Sequence, residues 1–134
     1  MDRKVWGLTL RELMGFALLI VLLLAGLLSS WYMGRHHMEI SKNLEDSAWL
    51  ALSGQWENAK QSADGARAKC EKNWNLRAAF ADHTPIEEIG DLFEELTVYS
   101  AAGERTEFAR ICNALASRVE AMGNAHKLSW WNVL

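Results

Sequence analysis

The sequence predicts an all-α protein with one N-terminal transmembrane helix followed by a small bundle of about four helices, and three observations carry the prediction. Between Leu13 and Met33 the chain reads LMGFALLIVLLLAGLLSSWYM without a charged side chain. From Gly34 onward, apolar residues recur at spacings of three and four. Ala, Leu, Glu and Arg dominate there, Pro85 is the only proline, and β-branched runs are absent. That composition suits helices and is poor for sheets.

At ~1.5 Å per residue, the apolar run matches the ~30 Å thickness of a bilayer's hydrocarbon core. In lipid the backbone must satisfy its own hydrogen bonds, so a single segment of this kind crosses only as a helix. A buried core helix would need a large domain around it, and about 100 residues provide a poor one. A cleavable signal peptide has a shorter apolar region, ~7–15 residues, and a small-residue cleavage site. Gly26-Leu27-Leu28-Ser29-Ser30 is a mediocre version of such a site, so an uncleaved signal anchor at 13–33 is expected. Arg3, Lys4 and Arg11 precede the run, whereas Arg35 and Lys42 follow it diluted by Glu39, Glu45 and Asp46. Positive charge is retained in the cytoplasm, so residues 1–12 are expected inside and the helical domain 34–134 outside, in a single-pass cell-membrane protein. Trp6 before the run, with Trp31 and Tyr32 at its end, are placed as interfacial anchors. Gly15, Ala25 and Gly26 permit close helix contact in the membrane but form no G-x-x-x-G pair.

The segment from Gly34 carries 11 Lys and Arg against 15 Asp and Glu, a net charge of −4. That balance argues against nucleic acid, which takes a basic surface, and against a polybasic grip on anionic lipid. Half of the whole chain is apolar and its charges are interspersed, which argues against disorder. The lipid bilayer, through 13–33, and another envelope protein are the expected partners.

A first helix, Met38 to Ser53, places Ile40, Leu44, Ala48 and Ala51 on one face, and Gly54 ends it. A second, Gln55 to Ala81, repeats Trp56, Ala59, Ala63, Ala66, Cys70 and Trp74, a seam of small residues for a close neighbour. Thr84-Pro85-Ile86-Glu87 reads as a capping box with proline at the first helical position. The third helix that it starts carries Ile86, Ile89, Phe93, Leu96 and Tyr99 inward and stops near Gly103. The fourth, Thr106 to Lys127, buries Phe108, Ile111, Cys112, Leu115, Val119 and Met122. Two helical hairpins joined at the Asp82–Pro85 corner form the bundle.

Around Ser53-Gly54-Gln55-Trp56-Glu57-Asn58-Ala59 the first hairpin resembles the inter-helix corner of a tetratricopeptide repeat. Asn43 and Asp46 stand where that repeat prefers Trp and Leu, and a repeat array is not expected. Across nearly the whole chain, the apolar anchor, Gly54-Gln55-Trp56 with Ala59, Trp74, Asp82-His83 before Ile86 and Ile89, and Asn132-Val133-Leu134 resemble a bacterial domain family of unknown function. Its members are small, N-terminally anchored membrane proteins. The resemblance implies this architecture and a bacterial envelope setting, and it implies no chemistry. Trp130-Trp131 has no place in the pattern.

His36, His37 and Glu39 offer metal-type ligands, but adjacent histidines point to different helix faces and no further ligand follows at the right spacing. They are expected to be polar residues at the interface. Asp82, His83 and Glu87 gather acid, base and carboxylate at one corner, the basis of an alternative reading as a small-ligand or metal sensor or a cryptic enzyme. No nucleophile or cofactor motif accompanies them, so no catalytic, cofactor-binding or metal residue is assigned. Asp82, Glu87, Glu88, Asp91, Glu94 and Glu95 form an acidic run with no Lys or Arg from Ala78 to Gly103, without the pattern of a calcium loop. Glu88, Asp91 and Glu95 are therefore candidate contacts for a basic partner, and Trp130 and Trp131 of the apolar tail Leu128–Leu134 candidate interface anchors. Packing of that tail on the domain is the expected resting state, and His126 complements the fourth helix's dipole. Cys70 and Cys112 both face inward, either as one disulfide or as two buried thiols. The leading functional expectation is a non-enzymatic, membrane-tethered interaction or support module for another envelope protein.

Overall fold

The computed structural model describes residues 10–77 and 84–131, without the side chains of 33, 75–77, 84 and 125–131. Among the described residues there are four α-helices and no strand: α1 (Leu10–Leu52), α2 (Trp56–Arg77), α3 (Thr84–Ala102) and α4 (Arg105–Trp131). The chain divides into two compact units, Met1–Met33 and Gly34–Leu134, and α1 contains the boundary. Thr84, whose hydroxyl was expected to cap α3, has its side chain outside the described set.

In the first unit, the described residues are helical and their apolar side chains are exposed: Phe16, Leu18, Leu22, Leu28 and Trp31 each keep more than half of their surface free. This is the one described helix with a stretch long and apolar enough to cross a membrane, and none of that stretch is buried. A separate helix was expected to begin at Met38, but no helix end intervenes. Between Trp31 and Met38 the weakest helix former is Gly34. One internal glycine costs about 1 kcal/mol, too little to stop a helix already propagating from both sides.

In the second unit, the spacing of three and four is realised as a core. Ile40, Leu44, Ala48 and Ala51 of α1 meet Ala59, Ala63, Ala66 and Cys70 of α2, with Ile89, Phe93 and Leu96 of α3 and Phe108, Ile111, Cys112, Leu115 and Val119 of α4. Trp56, Trp74, Tyr99 and Met122 pack at its margin, half-buried. Phe108 stands edge-on to Trp56, ring centroids 4.9 Å apart, and Trp74 to Phe93 at 6.5 Å.

Both turns are built the same way. Gly54 (φ +89°) and Gly103 (φ +72°) take the left-handed conformation that side chains resist. The next residues close the motif, Gln55 N–H donating to Leu50 O at 2.9 Å and Glu104 N–H to Tyr99 O at 3.1 Å.

The small residues admit backbones close enough for serine hydroxyls to reach a neighbouring helix's carbonyls. Ser62 donates to Asn43 O (3.0 Å), Ser47 to Ala59 O (2.6 Å) and Ser41 to Ala116 O (3.1 Å). Partner numbers fall on α1 as they rise on α2, and Ser47 meets Cys112 where Ser41 meets Ala116, so α2 and α4 both run antiparallel to α1. Arg67 of α2 meets Glu94 and Thr97 of α3, and α3 faces α4 through Glu88–Arg118 and Glu95–Arg110.

Candidate functional site

Glu88, Asp91 and Glu95 project from one face of α3 at spacings of three and four, and the structure brings them together. With Leu92 and Arg118 they line a shallow depression of about 260 Å³ between α3 and α4. The acidic run is nevertheless not a bare negative surface. Arg118 approaches Glu88 at 3.1 Å, Arg110 approaches Glu95 at 3.4 Å and Glu107 at 2.7 Å, and Arg67 binds Glu94 at 2.6 Å. Hydrogen bonds from Arg67 to Glu71 and Glu94 push its pKa up, as the bond to Glu107 does for Arg110. Glu87 and Asp91 carry no ion pair with a described residue. Exposed pairs of this kind are worth ~0–1 kcal/mol each, so an incoming basic group can displace an arginine at small cost.

Of the alternative corner, only Glu87 is described, exposed in the first turn of α3; Asp82 and His83 lie outside the described residues. The backbone of α4 continues as helix to Trp131 instead of ending near Lys127. The side chains of His126, Trp130 and Trp131, and all of Asn132-Val133-Leu134, lie outside the described residues. Among the described residues no group of three His, Cys, Asp or Glu is placed to hold a metal ion.

Of His36, His37 and Glu39, expected at the interface, two pack in the bundle instead. His37 is not an interfacial residue: it is buried, 6% exposed, against α4. A Cβ built on Gly123 would lie 2.9 Å from His37 Cβ, so the glycine is what allows this approach. Glu39 belongs to the bundle as well, bonded to Lys69 of α2 at 2.6 Å, and that bond lowers its pKa. Of the two alternatives for the cysteines, the structure has the free, buried thiols. Burial pushes Cys70 up to about 12 and Cys112 to about 11, the latter against a hydrogen bond of 3.7 Å from Cys112 Sγ to Ser47 Oγ. At neutral pH neither supplies a thiolate.

A second site went unread in the sequence. His37, Ser41, Lys42 and Glu45 of α1 and Glu120 and Asn124 of α4, with Met38 and two glycines, line a cavity of about 330 Å³. Its sequence signal is the position of His37, which continues the buried spacing of Ile40, Leu44, Ala48 and Ala51 toward the N-terminus, and of Ser41, which falls within it. No family model, curated protein or solved structure matches the chain.

Proposed function

We propose that this is a single-pass membrane protein whose helical domain acts as a non-enzymatic interaction or support module. The observation that carries the reading is the apolar stretch of α1: exposed Leu, Ile and Val side chains in a run of this length are accommodated by lipid. The stretch is an uncleaved signal anchor, residues 1–12 are cytoplasmic, and 34–134 face the outside of a bacterial cell membrane; the flanking charges support that orientation. The helices pair as two hairpins, α1 with α2 and α3 with α4, and the Gly54 turn is similar to a tetratricopeptide corner. Glu88, Asp91 and Glu95 form the contact face for a basic segment of an envelope partner, assisted by Trp130 and Trp131. Tethering confines both partners to two dimensions and raises effective concentration, so a weak surface suffices.

Crosslinking in native membranes tests the docking. Glu88→Lys with Asp91→Lys and Glu95→Lys should abolish capture of the partner, whereas Glu87→Ala should leave it unchanged. The reverse outcome sinks the proposal. Orientation is tested on intact cells with Asp2→Cys and Lys60→Cys: labelling at position 2 but not at position 60 would overturn it.

A further inference from the structure

Lys42, Glu45 and Glu120 meet around the α1–α4 cavity, yet none has an ion pair with a described residue. Elsewhere charged side chains pair across helices: Glu39 with Lys69, Arg67 with Glu94, Arg110 with Glu95 and Arg118 with Glu88. At 330 Å³ the cavity reaches the lower end of ligand pockets, ~300–1,000 Å³. One rim is Gly34, covalently the next residue after the apolar run, and Met38 beside it is 67% exposed.

From these observations we infer that the cavity binds the headgroup of a zwitterionic phospholipid carrying a primary ammonium, that is, an ethanolamine phosphate. This deepens, and rests on, the membrane-anchored reading above. The cavity offers one ammonium and two carboxylates, so an anionic headgroup or free phosphate meets net repulsion. A headgroup with one charge of each sign fits, its phosphate on Lys42 and its ammonium between Glu45 and Glu120. Ser41 sharpens the choice. Its proton is already donated to Ala116 O, so its oxygen has only lone pairs to offer and accepts from an ammonium. Asn124 Oδ1 accepts in the same way. A quaternary choline ammonium has no N–H for these acceptors, which gives the cavity a basis for telling the two headgroups apart. Met38 provides an apolar surface for the glycerol end of the lipid.

The test uses the full chain reconstituted in nanodiscs of equimolar phosphatidylethanolamine and phosphatidylcholine, with retained lipid read by native mass spectrometry. The native chain should retain the ethanolamine lipid about threefold or more over the choline lipid, the scale that one or two exposed charge contacts provide. Glu45→Gln with Glu120→Gln should bring the ratio to about one. Both positions are exposed, and circular dichroism should show the fold intact. Equal retention of the two lipids by the native chain, or an unchanged preference in the variant, overturns the inference. So does retention of free ethanolamine phosphate in choline-only discs as strongly as of the lipid, which would make the ligand a soluble one. Extraction of the chain from membranes by alkaline carbonate separates the two readings: release overturns the anchor and the headgroup site together. Stable insertion without lipid preference overturns the headgroup site alone.

Discussion

Replacing Gly123 by alanine should destabilise the domain, although the same change at most helical glycines stabilises. In a helix interior, Gly→Ala gains about 1 kcal/mol from backbone entropy when the new methyl has room. At Gly65 of α2 nothing lies within 4 Å of an added Cβ, so Gly65→Ala should realise that gain. At Gly123 the added carbon would sit 2.9 Å from His37 Cβ and 3.3 Å from Cγ, against an ordinary carbon contact of ~3.5–4.0 Å. The nearer atom is fixed to the α1 backbone and cannot rotate away. Relief requires α1 and α4 to separate by ~0.6–1 Å, which also stretches the 3.1 Å bond from Ser41 to Ala116 one turn along. Overpacking of this kind costs ~1–3 kcal/mol, so the two alanine variants should differ by about that amount, Gly123→Ala being the less stable. For a domain of about 100 residues, each kcal/mol moves the melting temperature by ~4–8 °C. Thermal unfolding of the full chain in detergent micelles, followed by circular dichroism, measures the difference. If Gly123→Ala raises Tm as much as Gly65→Ala does, the close approach of His37 is not what the glycine serves.

Ser47→Ala should cost about 1–2 kcal/mol in the same assay, because it removes the 2.6 Å bond to Ala59 O and the acceptor of the Cys112 thiol together. Both thiols should resist a disulfide reagent at pH 7–8 in the native chain and react at once when the domain is unfolded. Their folded pKa values, about 12 and about 11, lie above the ordinary 9.0. The stability they contribute is therefore complete below about pH 9 and lost as pH rises through 11 to 12, and Cys70→Ser with Cys112→Ser should flatten that alkaline loss.

The core was legible because helical periodicity is a local property. Ile40, Leu44, Ala48 and Ala51, or Phe108, Ile111, Cys112, Leu115 and Val119, mark their faces without knowledge of what they pack against. The glycine turns were legible for the same reason. What escaped was set by distant partners. Nothing near Glu88 to Glu95 in sequence announces Arg67, Arg110 and Arg118, which fold alongside from α2 and α4, so the run read as bare acid. His37 read as interfacial because its neighbours Arg35, His36 and Glu39 are polar. Its burial depends on a glycine 86 positions further along the chain. The α1–α4 cavity was hidden likewise, since its lining is drawn from α1 and from α4, which stand at opposite ends of the domain's sequence.

Three hydroxyl bonds, from Ser41, Ser47 and Ser62, tie helices of the bundle to one another's backbones, and they have a mechanical consequence. Contact between alanine faces is non-directional and tolerates sliding, whereas each of these bonds is satisfied at a single axial setting. A slip by one residue moves a donor ~1.5 Å along its neighbour and breaks the bond. Shear along the Gly34–Leu52 portion of α1 therefore meets its resistance in discrete pins on two flanks, toward α2 and toward α4. A protein held by one helix and pulled through its domain would yield abruptly at those pins and not by gradual creep.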